Sequence, residues 1–190
     1  NRLSIILYNG IIGFLLILIM LFLFLNVRSG IWVAMGIPFT FCFTLIAAAY
    51  LGYTVNGTTL AAVIIVMGVI VDDAIVVAEN ITRMMNKGAD RRTAVIEGTT
   101  YVLLPIIASI VTTCIAFVPL FFFTGRFGKF IEFMPPVIFL MLGASFLESI
   151  FILPGHMDFQ IPFLDRFSQK KAIIKKHWFE TIEEWYGKGL

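Results

Sequence analysis

Long apolar stretches separated by short polar connectors make up most of the chain. Crossing the hydrocarbon core of a bilayer takes about 20 predominantly apolar residues in a helix. Five stretches approach or reach that length: residues 11–25 with a backward extension through 5–8, then 31–51, 60–78, 102–123 and 136–153. This pattern predicts an all-α fold, a polytopic membrane helical bundle of about five transmembrane helices.

The composition agrees with that class. Hydrophobic residues make up 59% of the chain and charged residues 14%, whereas soluble domains have about 45–50% and about 25%. Cys42 and Cys114 both lie in apolar runs, which favours small hydrophobic side chains in helices over a disulfide or a metal pair. With only two histidines and no C-x-x-C spacing, we expect no cofactor and no metal site, and nothing indicates a nucleic-acid partner.

The basic residues are distributed asymmetrically over the connectors. Five antiparallel spans place connectors one, three and five on one side of the membrane. That side carries 11 of the 14 Lys and Arg residues, and the other side carries Arg2, Arg126 and Lys129. Because basic loops stay in the cytoplasm, we expect residues 26–30, 79–101 and 154–190 to be cytoplasmic.

The C-terminal tail has its own periodicity. Apolar and aromatic residues recur at helical spacing beside a basic cluster: Phe163, Phe167, Ile174, Trp178, Ile182 and Trp185, flanked by Lys170, Lys171, Lys175 and Lys176. We therefore divide the chain into a bundle, residues 1–155, and a cytoplasmic amphipathic basic region, residues 156–190. An interfacial helix at the membrane surface fits this pattern. The alternative is an ordinary amphipathic helix packed on another soluble segment.

Asp72 and Asp73 are the principal candidates for function. They lie past the midpoint of the third span, where each ionised carboxylate costs about 2.5–3.5 kcal/mol. A buried acid can also act as a structural hydrogen-bond donor or as half of a static ion pair. Two adjacent acids are harder to explain in that way, so we interpret them as a proton relay and expect them to titrate as one coupled unit.

Other polar or small residues are supporting candidates. Gly68 lies one turn before Asp72, where we expect its missing side chain to let another helix approach. Glu79 and Asn80 lie seven residues beyond the two aspartates. They either lead a polar path towards the cytoplasm or form the solvated end of the helix.

The fourth and fifth spans add weaker candidates. Thr112 and Thr113, with the nearby Ser109, either hydrogen-bond to a neighbouring helix or satisfy carbonyls of their own helix. We expect Glu148 to lie shallow enough to reach the headgroup region. We also expect Pro154 and Gly155 to end its helix.

The run from Gly68 to Asn80, with the sequence GVIVDDAIVVAEN, closely resembles the fourth transmembrane helix of resistance-nodulation-division (RND) efflux transporters. The residues around Asn26–Arg28, Tyr53–Leu60 and Phe117–Gly125 resemble the connectors and helix ends that surround it, in the same order. The resemblance implies that the chain represents helices two to six of a twelve-helix transporter, followed by its cytoplasmic surface helix. We therefore expect the chain to be a piece of a longer polypeptide.

The resemblance also implies a function. Members exchange protons for substrate as secondary transporters, not enzymes, with the paired aspartates as the proton site. The lysine that partners them lies on a helix outside this sequence. Two aspartates followed by Ala74 resemble the drug and amphiphile exporters. The expected partners are lipid, amphiphilic substrates bound by periplasmic domains, two further copies in a homotrimer, a periplasmic adaptor and an outer-membrane channel. The expected location is the bacterial inner membrane.

Several alternatives remain open from the sequence. Relatives in the RND family move lipids or metal ions, or assist protein export. An intramembrane aspartyl protease needs two carboxylates on different helices, and adjacent residues on one helix point about 100° apart. A channel would show polar residues on several spans, whereas the first two are almost wholly apolar. A scaffold without transport activity is the remaining class.

Overall fold

The residues described by the structure are almost entirely helical, and they contain no β-strand. The structure is a computed structural model that describes residues 2–54 and 56–159. Its helices are α1 (Arg2–Phe24), α2 (Val27–Tyr50), α3 (Gly57–Asn86), α4 (Arg91–Phe117), α5 (Gly125–Ile131), α6 (Met134–Leu147) and α7 (Leu153–Asp158). A 3₁₀ turn, Val118–Phe122, follows α4, and a π-turn, Glu148–Ile152, joins α6 to α7.

Five continuous helical stretches of the described chain are long and apolar enough to cross a membrane. They are α1, α2, α3, α4 with its 3₁₀ turn, and the run from Gly128 to Asp158. The predicted all-α polytopic bundle is therefore confirmed.

The helices alternate in direction, as the short connectors predicted. The Arg28 guanidinium donates hydrogen bonds to the carbonyl oxygens of Met157 (2.7 Å) and Phe159 (2.6 Å). Arg91 donates to the same Phe159 oxygen at 3.1 Å. Connectors one and three and the end of α7 thus meet at one end of the bundle, which we call the basic end. At the opposite end the rings of Tyr53 and Phe133 lie 6.4 Å apart.

Local sequence signals fix both ends of α3. The Asn56 side chain accepts hydrogen bonds from the backbone N–H groups of Thr58 and Thr59, both at 2.9 Å. The Thr59 hydroxyl accepts the Asn56 N–H in return at 2.7 Å, which completes a capping box. Gly88 follows the other end with a φ of 91°, a left-handed conformation that glycine adopts without strain.

Helix α3 is central, and it runs parallel to α6 and α7. Near the opposite end, Ala62, Val63, Val66 and Ile70 of α3 pack with Val137, Ile138, Met141 and Leu142 of α6. Near the basic end, Val71 to Ile81 share a second buried cluster with Leu153 and Met157 of α7. The two clusters occur in the same order along α3 and along the α6–α7 segment. This shared order sets the register between the two segments.

Two sequence expectations about helix ends are wrong. Residues 79–101 were expected to form a connector, but α3 continues to Asn86 and α4 begins at Arg91. Pro154 and Gly155 do not stop the fifth span, because Pro154 lies in the first turn of α7, where a missing N–H is tolerated. Helix therefore continues across the predicted boundary at residue 155. The amphipathic helix expected in the tail falls on residues from 160 onward, which lie outside the described residues.

Candidate functional site

Asp72 and Asp73 lie at the midpoint of the 30 residues of α3. Being adjacent on a helix, their side chains point about 100° apart and face different surroundings. Asp73 is 6% exposed and lies among buried residues of α3, whereas Asp72 is exposed. The two carboxylates are adjacent in the sequence, but the structure places them in different environments.

The Asp73 side of α3 faces α4. The hydroxyl of Ser109 on α4 faces the Asp73 side chain, close enough to stabilise its charge. Ser109 was one of several hydroxylated residues noted in the fourth span, and the sequence did not single it out as the partner. The contact links the two helices beside the buried carboxyl.

Thr112 and Thr113 do not contribute to that contact in the described chain. The Thr112 hydroxyl donates to the carbonyl of Ala108 at 2.8 Å, and the Thr113 hydroxyl donates to that of Ser109 at 3.0 Å. Both hydroxyls therefore satisfy carbonyls of their own helix, one of the two alternatives open from the sequence. Their role as supporting residues stays a prediction.

The Asp72 side of α3 faces an open groove of about 520 Å³ between α1 and α3. Its walls are mostly apolar, and the polar groups in it are Asp72 and Glu79. Gly68 also lines it, but a Cβ atom built on Gly68 would meet nothing within 4 Å. No helix of the described residues packs closely on Gly68, so the expectation that a helix approaches there stays a prediction. Gly68 instead leaves space beside Asp72.

Glu79 connects this groove with a more polar cavity at the basic end. That second cavity has a volume of about 470 Å³, and Glu79 lines both. The cavities also share Phe24 and Ile75. The remaining lining of the second cavity is largely polar: Leu25, Asn26, Ser29, Thr82, Arg83, Asn86 and Lys87. Open space therefore extends from Asp72 past Glu79 to the basic end.

Asn80 is buried on the other side of α3, where it holds two helices together. Its side-chain amide donates to the carbonyl of Gly98 on α4 at 2.6 Å, and its oxygen accepts from Arg83 at 2.7 Å. A Cβ atom on Gly98 would lie 3.0 Å from the Cα of Ile81, so the backbones of α3 and α4 are in close contact here. Asn80 therefore contributes to packing and does not line the groove with Glu79.

Glu148 is placed differently from its sequence expectation. The side chain is 3% exposed and does not reach outward to a headgroup region. It is the first residue of the π-turn, and its carboxyl lies against Gly36 of α2, where any Cβ atom would collide with it. Among the described residues, no group of three or more His, Cys, Asp or Glu side chains could hold a metal ion.

This arrangement defines a class of protein, a polytopic helical membrane protein with a carboxylate pair at the middle of its central span. The family model described as the AcrB/AcrD/AcrF family matches residues 3–189. The chain therefore belongs to the AcrB/AcrD/AcrF family, as the resemblance to RND transporters predicted.

Curated relatives agree with this membership. The "Multidrug resistance protein MdtC" of Shigella flexneri is 28% identical over 181 residues, which cover 95% of this chain and 18% of that protein. The protein of the same name from Escherichia coli (strain K12 / DH10B) matches with the same identity and coverage. The chain thus spans less than a fifth of the length of these relatives.

Proposed function

We propose that this chain forms part of the membrane domain of a proton-driven efflux permease that exports drugs or other amphiphilic compounds. The observation that carries the proposal is the carboxylate pair at the midpoint of α3, with one member buried and the other open to a groove. Family membership and the multidrug resistance named for its relatives support the same function. The protein acts as a secondary transporter, with protons as the coupling ion and no cofactor.

The groove supplies a route for protons to Asp72. Protons move between Asp72 and the basic end through the space that Glu79 lines, and the basic end faces the cytoplasm of a bacterial inner membrane. Gly68 keeps the groove open beside the carboxylate, since it adds no side chain there. Each proton that moves inward releases about 2.3 kcal/mol per 100 mV of membrane potential.

Asp73 couples protonation to helix packing. Its carboxyl is buried and faces the Ser109 hydroxyl, so a change in its charge alters the contact between α3 and α4. Protonation then shifts the populations of two helix arrangements, because the charged and the neutral form of Asp73 stabilise these arrangements to different degrees. A lysine from outside this sequence balances the pair when it is ionised. The proposed assembly is a homotrimer in the lipid bilayer with a periplasmic adaptor and an outer-membrane channel.

The test uses a full-length transporter that carries this segment in a drug-sensitive bacterial host. Asp72→Asn and Asp73→Asn should each abolish resistance while the protein still accumulates in the membrane. Asp90→Asn is the matched control, because Asp90 is exposed and makes no side-chain capping bond. Full resistance in both of the first two variants would disprove the proton-relay assignment.

A further inference from the structure

A second carboxyl is buried inside the bundle, away from the aspartate pair. Glu148 belongs to the π-turn of the α6–α7 segment, faces α2 and is 3% exposed. Its one hydrogen-bond partner among the described residues is the Ser149 hydroxyl, at 3.4 Å. No Lys, Arg or His among the described residues forms an ion pair with Glu148. An ionisable residue inside a membrane bundle is by default a candidate for function.

The helix register places Glu148 at the depth of Asp73. The Ser145 hydroxyl donates to the Ile70 carbonyl at 3.4 Å, which aligns these two residues across the parallel helices. Three residues further along each helix are Glu148 and Asp73. They flank the contact between α3 and α6 from different sides, because Asp73 faces Ser109 of α4 and Glu148 faces Gly36 of α2.

The backbone is adapted to this side chain on both helices. Glu148 begins the π-turn, a helix irregularity that is frequent at functional sites. Gly36 supplies the space, since the carboxyl occupies the position that any β-carbon there would take. A hydrophobic residue would fit an ordinary α-helix without either feature. The π-turn and Gly36 are therefore two independent signs of a site built around the carboxyl.

Hydroxyl groups continue from Glu148 towards the opposite end. Thr40, one turn after Gly36 on the same face of α2, is 1% exposed, and its hydroxyl has no hydrogen-bond partner among the described residues. Ser145 lies one turn before Glu148 on the same side. An unsatisfied buried hydroxyl is costly, so Thr40 adds a second polar group that the closed contact leaves without a partner among the described residues.

The remaining titratable groups on the neighbouring elements are engaged elsewhere or exposed. On α2, Arg28 bonds to the carbonyl oxygens of Met157 and Phe159, and on α7 the ring of His156 stacks on Trp32 at 4.7 Å. The others are Asp72, Glu79 and Arg83 of α3, Cys42 and Tyr50 of α2 and Asp158 of α7, none of which is buried. Helix α6 contains no titratable residue. A buried carboxyl without a cation nearby is far less costly when it is protonated.

We infer that Glu148 is a second proton-binding site of the membrane domain, protonated while it lies against Gly36 and able to ionise when α2 and α6 separate there. The proton is exchanged with water at that point, and no other bond changes. This inference goes beyond the proposed function, which assigns the proton site to the aspartate pair alone. Its use in transport rests on that function, but the protonated state itself does not.

The direct test is infrared spectroscopy of the 190-residue chain in lipid vesicles at neutral pH. The difference spectrum of wild type minus Glu148→Gln should contain a protonated-carboxyl band, because the subtraction cancels any contribution of the buried Asp73, and helicity by circular dichroism should be unchanged. Asp158→Asn, which alters an exposed acid, should leave the band in place. An unchanged band in Glu148→Gln would overturn the inference, because the carboxyl would then be ionised already.

Gly36→Ala tests the same site without touching the acid. Its methyl group should displace the carboxyl from α2 and shift or remove the Glu148 band. Gly143→Ala is the matched control, since a Cβ atom there meets nothing within 4 Å. Equal spectra for Gly36→Ala and Gly143→Ala would contradict the assigned position of Glu148.

A test of the role of Glu148 in transport requires a measurement that would not change if the residue were purely structural. In a full-length transporter, Glu148→Gln should shift the pH at which transport is half-maximal, and Glu148→Asp should restore part of that shift. A lower rate with an unchanged pH profile would make Glu148 structural. Normal transport by Asp72→Asn and Asp73→Asn would refute the proposed function and leave the infrared result on Glu148 standing.

Discussion

The contact between α3 and α4 at Gly98 allows a quantitative test of the packing that holds Asp73. In Gly98→Ala the new methyl carbon would lie 3.0 Å from the Cα and 3.2 Å from the N of Ile81. Because both are backbone atoms, no side-chain rotation relieves the overlap and the helices must separate. Overpacking of this kind costs about 1–3 kcal/mol.

A matched variant isolates that cost. Replacing Gly by Ala inside a helix stabilises it by about 0.5–1 kcal/mol through backbone entropy alone. Gly143→Ala on α6 should show this gain, since it meets no neighbour within 4 Å. Gly98→Ala should therefore be less stable than Gly143→Ala by about 1–3 kcal/mol.

The assay is reversible unfolding of the chain in mixed micelles, followed by near-ultraviolet circular dichroism. The free energy of unfolding is compared among wild type, Gly98→Ala, Gly143→Ala, Asn80→Ala and the Gly98→Ala/Asn80→Ala double variant. Separating the helices should also break the bond from Asn80 to the Gly98 carbonyl, so the two changes should not be additive. Equal stability of Gly98→Ala and Gly143→Ala would refute the close contact.

Three further predictions concern the site and the basic end. Ser109→Ala should shift the pH profile of transport because it removes the partner of Asp73, whereas Thr112→Ala should not, since that hydroxyl bonds to its own helix. Gly68→Leu should lower transport without destabilising the fold, because the added side chain enters open space beside Asp72; an unchanged rate would argue against the groove as a proton route. Arg28→Gln should destabilise the end of α7 by about 2 kcal/mol or more, because Arg28 donates two charged hydrogen bonds to that end. The loss should appear as faster amide hydrogen exchange at the end of α7. Arg126→Gln, at an exposed position, is the control, and equal exchange in the two variants would contradict this role of Arg28.

The sequence predicted the features that depend on composition along one helix. Hydropathy was sufficient to predict five spans, because the bilayer requires a minimum apolar length. Their alternation followed from short connectors, and the contacts of Arg28 and Arg91 with Phe159 confirm it at the basic end. The position of Asp72 and Asp73 at the middle of a span also followed from counting residues.

Features that depend on how a helix is rotated could not be predicted in this way. Helical periodicity aligns Asn80 with Asp73 and Glu79 with Asp72, but only the packed structure shows that Asn80 bonds to Gly98 while Glu79 lines open space. Ser109 is the partner of Asp73 because of the α3–α4 packing, and nothing in its local sequence distinguishes it from Thr112.

The placement of Glu148 shows the same limit. Counting back from Pro154 made it seem shallow, because that count assumed that the helix ends there. The π-turn and the continuation into α7 place it deeper, against Gly36. Long-range packing at a glycine on another helix leaves no signal near Glu148 itself.

The most direct test of the central claim, that Asp72 and Asp73 form the proton site, is substrate-linked proton flux in proteoliposomes. A full-length transporter carrying this segment is reconstituted with a pH-sensitive dye inside the vesicles, and a pH gradient is imposed. Adding a transported amphiphile should accelerate proton movement in the wild type and in Asp90→Asn. It should have no effect in Asp72→Asn or Asp73→Asn. Undiminished substrate-linked proton flux in both of these variants would contradict the account.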